Sequence, residues 1–242
     1  MVTELGRVEA LFRYRVKSMR GAALDEATLG WHGLAGDRRF AVRRLDVRGP
    51  MPWLTASRLP ELIHFAPFGH DDRSGEPLPT HVRTPEGDEL PLLGDALAAD
   101  LGRRHGAPVE IMQLGHGIFD ETSISVITSD TSRELCRLAG VGADVRRFRP
   151  NIVVGSIGAM PLEEDGWVGG VLTFGDAAEA PAVTVTMRDL RCAMVNLDPD
   201  GGPPAPAMMK AIVQANANHA GVYGTVLRTG RLAVGQTIRL HR

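Results

Sequence analysis

The chain is poor in the residues that usually signal a function. Its 242 residues include only two cysteines, Cys136 and Cys192, and neither belongs to a CxxC pair. That excludes a disulfide framework, a thiolate-built structural zinc site and an iron–sulfur cluster of the chain's own. Aromatics are scarce at 5%, and basic and acidic side chains nearly cancel at 27 against 29. No global charge draws nucleic acid or an anionic membrane, so any basic site must be a local cluster. No run approaches the ~18 apolar residues of a membrane span, and the N-terminus has no apolar signal core. The expectation is a cytoplasmic chain with neither nucleic acid nor membrane as partner.

What the chain has in quantity is punctuation. Twenty-eight glycines and sixteen prolines interrupt short apolar runs, a pattern of many short strands rather than a helical bundle. Strands are expected at 6–13, 39–45, 62–68, 81–84, 109–113, 124–128, 151–154, 171–174, 183–189, 223–228 and 236–240. Helical spacing marks 95–105, 129–138 and 208–217, the second opening on good capping residues. The composition fits a β-dominated α/β fold in two parts, with the better boundary near 102–108.

Five polar segments carry candidate chemistry. Residues 14–21 (YRVKSMRG) gather Lys17, Ser18 and Arg20 into one short loop. Cations and a hydroxyl converging there suit a phosphate or other anion, with an ordinary polar loop as the competing reading. In 33–40 (GLAGDRRF), Asp37 pairs with an arginine or caps the turn. Arg38 and Arg39 alternate sides, so one of them can face a site. Thr128 and Ser129 join a strand to a helix N-terminus, where free N–H groups favour an anion, although capping alone accounts for them. Arg149 and Asn151 flank Pro150, offering a planar fork for phosphate and an amide that reads a ring edge. Arg191 precedes Cys192 at a strand end. A cation beside a thiol favours the thiolate, the form that ligates metal or attacks, and a packed strand cysteine is the alternative. Cys136 lies among leucines in an expected helix and reads as a packing residue.

Taken in order, these segments resemble the MOSC family, in particular two-part members such as the amidoxime-reducing component. The marks are YRVKSMRG, GLAGDRRF, TASRLPEL, TSISVITSDTS, FRPNIVV, EDGWVGGVLTFGD, RCAMVNLDPDGG and VYGTVLRTGRLAVGQTI, spread over nearly the whole chain. The resemblance implies an N-terminal β-barrel-like domain over 1–105 and a MOSC β-barrel with a few short helices over 106–242. It also implies a pyranopterin molybdenum cofactor between the two, with Cys192 bonded to the metal. Lys17, Ser18, Arg38, Thr128, Ser129, Arg149, Asn151, Arg191 and Tyr223 match positions that contact or approach that cofactor. The implied activity is reduction of N-hydroxylated small molecules by a monomeric chain, with electrons from a separate flavin, haem or iron–sulfur protein. A cofactor carrier or sulfur-transfer protein using a Cys192 persulfide is the alternative. Val195, Asn196, Gly201 and Ala220 depart from the family pattern on the side where substrate should approach.

Overall fold

The computed structural model describes residues 1–242. Seven strands close into a barrel. Around it run Ile152–Ser156, Ile124–Thr128, His219–Arg228, Ala182–Leu190, Val171–Phe174, Thr237–His241 and Val2–Arg13, the last returning to pair with the first. Branched and aromatic side chains alternate inward along these strands. Leu11, Val126, Val154, Phe174, Val185 and Ile238 are almost fully buried in the resulting core. A small sheet of Glu26–Gly30, Gly33–Leu34 and Gly230–Ala233 adds Ala27, Leu29, Leu34 and Leu232 to it.

Three α-helices decorate the sheets: α1 (Asp95–His105), α2 (Ser129–Ala139) and α3 (Ala207–Asn216). The Ile124–Thr128 and Ile152–Ser156 strands are parallel, which demands a crossover between them. Helix α2 makes it, and its Leu135 and Cys136 pack with Ile127, Phe148 and Ile212 in a separate cluster. Cys136 is thus a buried packing thiol, and its burial pushes its pKa up.

The second body is smaller. Phe40–Arg44 pairs with Val109–Gln113, and Ala66–Phe68, His81–Arg83 and Glu89–Pro91 form a meander. Its own core contains Val16, Phe40, Leu54, Phe65, Val82 and, from α1, Leu97. The two bodies exchange segments across the boundary expected at residue 105. The Val2–Arg13 strand belongs to the large barrel, and Val109–Gln113 belongs to the smaller body. The β-dominated, two-part architecture expected from the sequence is the one that forms.

Residues 62–68 differ from expectation. A 3-10 turn occupies Pro60–His64, and only Ala66–Phe68 is strand. Pro60 opens the turn with its fixed φ and missing N–H, and Leu62 and Ile63 of that turn are both buried. The strands at Ala22–Leu24, Gly33–Leu34 and Glu89–Pro91 are too short to show a period in sequence, and those at Glu26–Gly30 and Gly230–Ala233 also lie outside the expected strands. No helix is long and apolar enough to cross a membrane.

Barrel closure depends on Gly6. It faces Ser156 on one edge and Ile238 on the other, with a register shift nearby on each side. Such bulges bend a strand enough to close a sheet. Gly6 has φ 150°, and a Cβ there would run into the Gly155 carbonyl oxygen. Gly6→Ala should therefore lower unfolding stability by about 1–3 kcal/mol in urea titrations.

Candidate functional site

The two bodies face each other across a cleft that is partly open to solvent. The smaller body contributes Lys17, Ser18, Thr55 and Ser57, and the barrel contributes Ser125, Asp189, Cys192 and Tyr223. Arg38, Arg149 and Arg191 line it as well. Of the ten residues marked in the sequence, seven converge here: Lys17, Ser18, Arg38, Arg149, Arg191, Cys192 and Tyr223.

The convergence is held by a buried carboxylate. Asp37 Oδ1 accepts the Tyr14 N–H at 2.6 Å, and its Oδ2 accepts Asn151 Nδ2 at 3.1 Å and pairs with Arg38. Asn151 extends the knot, donating to the Phe12 carbonyl and accepting the Ser125 N–H. Asn151 is thus buried behind the cleft rather than lining it. Its amide is fully used in fixing Arg38 and the adjoining strands, so it has nothing left to read a ring edge. Burial works against the charge of Arg38, but Asp37 outweighs it and holds the guanidinium above its ordinary value.

Three cleft residues have left-handed backbone: Ser18 (φ 67°), Arg38 (φ 49°) and Arg149 (φ 51°). Non-glycine residues occupy that region at a cost of order 1–3 kcal/mol each, and functional sites concentrate such strain. Arg149 lies over the Tyr14 ring at 4.2 Å, and Arg38 lies over it at 4.8 Å. Arg149 Nη2 is buried without a partner. Burial pulls this guanidinium down to about 10, which leaves it charged at neutral pH. The same burial pushes the Tyr14 phenol up to about 12, against the pull of both arginines. Lys17 Nζ pairs with Asp120 at 2.7 Å. Its place against the cleft wall costs the Asp120 charge some hydration, although most of the side chain is exposed, and Lys17 outweighs that cost and holds the carboxyl below the usual range.

Cys192 is exposed at the cleft, two residues beyond the end of the barrel strand and just ahead of a 3-10 turn at Ala193–Asn196. Arg191 does not attend it as the sequence suggests. Its guanidinium donates to the carbonyls of Ala220 and Phe148 at 2.7 Å each and pairs with Asp189 at 2.8 Å. Arg191 is buried in the cleft wall and anchors it, while Cys192 beside it is exposed. Val195 also lines the cleft, whereas Asn196 turns away and accepts the Met209 N–H of α3.

Thr128 and Ser129 are not brought to the cleft. The α2 N-terminus is already occupied from within by Glu164, which accepts the Thr128 N–H and both threonine hydroxyls, of Thr128 and Thr131. Thr128 Oγ1 also caps the helix by accepting the Thr131 N–H. Burial pushes the Glu164 carboxyl up against these hydrogen bonds. The anion expected at this helix end is an internal carboxylate 36 residues along the chain from Thr128.

Sequence reasoning missed Asp120, Ser125, Asp189, Thr55 and Ser57. Asp189 is the most unusual of them, a carboxyl 1% exposed and pushed by burial up to about 6. Its only sequence signal is an acid at an inward strand position three residues before the thiol.

Comparisons with known proteins place this geometry in a class. The MOSC domain family model matches residues 102–239, and the MOSC N-terminal beta barrel domain matches residues 5–90. The chain belongs to the MOSC family, whose domains are associated with the molybdenum cofactor. Among solved structures, the YuaD protein from Bacillus subtilis is similar over 100% of this chain and 98% of its own. Its identity is 15% and its TM-score 0.54, a likeness of fold. YiiM from Geobacillus stearothermophilus matches 50% of this chain and 54% of its own at 19% identity, with a TM-score of 0.38. No curated protein sequence matches significantly.

The Asp37 knot yields a direct test. Asp37→Ala strands Arg38 as a buried unpaired charge, so it should cost about 3–5 kcal/mol in chemical denaturation. Asp37→Asn keeps an acceptor for the Tyr14 N–H and should cost less.

Proposed function

We propose that this cleft binds a pyranopterin molybdenum cofactor through Cys192, in a cytoplasmic enzyme acting as a monomer. It reduces N-hydroxylated small molecules such as amidoximes, hydroxylamines or N-hydroxylated bases. Electrons come from a separate flavin, haem or iron–sulfur protein, since the chain has no cysteine set for a cluster. The observation that carries this reading is an exposed thiol beside a buried cationic wall with an orphan donor, Arg149 Nη2.

The residues present fit such a group. Five cationic side chains line the cleft, Lys17, Arg38, Arg147, Arg149 and Arg191, against the acids Asp120 and Asp189. Arg191 and Arg147 are committed to the protein, the latter to Asp198 and the Leu197 carbonyl. Arg149 is not committed, and Lys17 is held only by Asp120, whose side chain is two-thirds exposed. These two can receive the phosphate and other anionic parts of the ligand. Thr55 and Ser57 supply hydroxyls on the opposite wall. Cys192 supplies the soft ligand that a thiolate-seeking metal prefers. When bound, the cofactor supplies a two-electron redox couple that no side chain here provides. The chain orients the ligand, keeps bulk water from its buried side and leaves the thiol end open to substrate.

Cys192→Ala should fold normally and lose molybdenum-dependent benzamidoxime reduction by more than about 100-fold, beyond the loss typical of an outer-sphere change. Unchanged turnover, or a persulfide mass on wild-type Cys192 with no metal present, contradicts the assignment. Arg149→Gly relieves both the left-handed backbone and the unpaired buried charge. It should gain about 1 kcal/mol of stability while retaining less pterin after gel filtration.

A further inference from the structure

We propose that a second pocket, beside the cleft, binds a small organic carboxylate, its apolar body on the pocket floor and its head group on Arg20. The inference goes beyond the molybdenum reading and does not depend on it. The pocket opens where the two bodies meet. Its walls come from the exit of the first barrel strand, the loop that follows, and the turns at Pro60–His64, Val145–Phe148 and Ala193–Asn196. It shares Arg147, Arg149 and Met194 with the cleft, whereas Lys17, Ser18 and Cys192 have no part in it. Arg20 lines this pocket and not the cleft.

The floor is apolar, made by Phe12, Ile63, Met194, Leu197 and Pro199. Water held against such a surface is released when an apolar body covers it. A concave apolar floor with a few convergent polar groups is the usual form of a small-molecule site. Here the polar groups are all cations.

Four arginines line the pocket, and they are not equivalent. Arg146 pairs with Asp144 and Asp200, and Arg147 pairs with Asp198, so the protein itself answers those two charges. Arg20 is in no ion pair. Its Nη2 donates to the Pro199 carbonyl at 3.2 Å, and its backbone N–H donates to the Phe65 carbonyl at 2.9 Å. These contacts hold Arg20 across the seam between the bodies and leave Nε and Nη1 without a protein acceptor. Asp200 feels the Arg20 charge, but both of its oxygens accept Arg146. Gly21 lets the loop close in, since a Cβ there would run into the Tyr14 ring. Arg149 also lacks a carboxylate partner and borders both spaces. A guanidinium has five N–H donors, enough to serve an anion on each side. The planar fork of arginine matches a carboxylate, and the floor selects one that carries an apolar body.

The test is an amide-resolved NMR titration of the cofactor-free full chain with benzoate, acetate and benzyl alcohol. Benzoate should give saturable shifts at the Gly21 and Ile63 amides. Acetate lacks the body and benzyl alcohol lacks the charge, so each should bind at least about tenfold more weakly. Arg20 is exposed, so Arg20→Ala should fold normally and weaken benzoate by about tenfold or more. The comparison of the three compounds on wild-type protein decides the matter even if that variant misfolds. Absence of saturable shifts, equal binding of acetate or benzyl alcohol, or shifts centred on Lys17 and Ser18 overturns the pocket. Unchanged benzoate affinity in folded Arg20→Ala overturns it as well. None of these results bears on whether Cys192 holds molybdenum.

Discussion

The buried carboxylate of Asp37 is the contact on which the cleft depends. Through Tyr14, Arg38 and Asn151 it ties the exit of the first barrel strand to the Gly-Asp-Arg-Arg loop and to the entry of the Ile152–Ser156 strand. The last of these lies more than one hundred residues from the other two in sequence, Asp37 and Asn151 being separated by 114. A single carboxyl group that satisfies three donors can fix all of them, because leaving any unpaired inside the protein costs far more than the pairing yields. Once Arg38 is held this way, its guanidinium and that of Arg149 share the Tyr14 ring. Two like charges then stand close together at the cleft floor.

That arrangement is poor economy for a protein with nothing to bind. Arg147 and Arg191 each have a carboxylate and carbonyls to satisfy them. Arg149 has neither carboxylate nor full hydrogen bonding, and it occupies a strained backbone conformation besides. Strain and an unmatched buried cation persist where a ligand completes the electrostatics. Under the function proposed above, the phosphate and soft metal of a pterin cofactor would answer the cation and the thiol together.

Much of this was legible in the sequence, for identifiable reasons. The runs 109–113, 124–128 and 171–174 are strands at their expected bounds, and 95–105 is a helix at its expected bounds. Each has a clear hydrophobic period between turn residues. Lys17, Ser18, Arg149 and Cys192 were readable because each sits where a loop interrupts such a period. What failed depended on distant partners. Thr128 and Ser129 look like an open anion site until Glu164 arrives from another segment to fill it. Asn151 looks like a ligand reader until Asp37 and Phe12 claim its amide. Arg191 looks like a cation free to attend Cys192 until Asp189 and the carbonyls of Ala220 and Phe148 claim its guanidinium. Asp189 was invisible because its chemistry comes from burial, which only the closed barrel creates.

The central claim is that Cys192 holds a molybdenum–pterin group in this cleft. It is tested most directly on protein produced in a host competent to make the cofactor, by elemental analysis together with fluorescence of the released pterin. The account predicts molybdenum and pterin in equal amounts, approaching one per chain, and loss of the metal in Cys192→Ala. Wild-type protein carrying neither molybdenum nor pterin would contradict it.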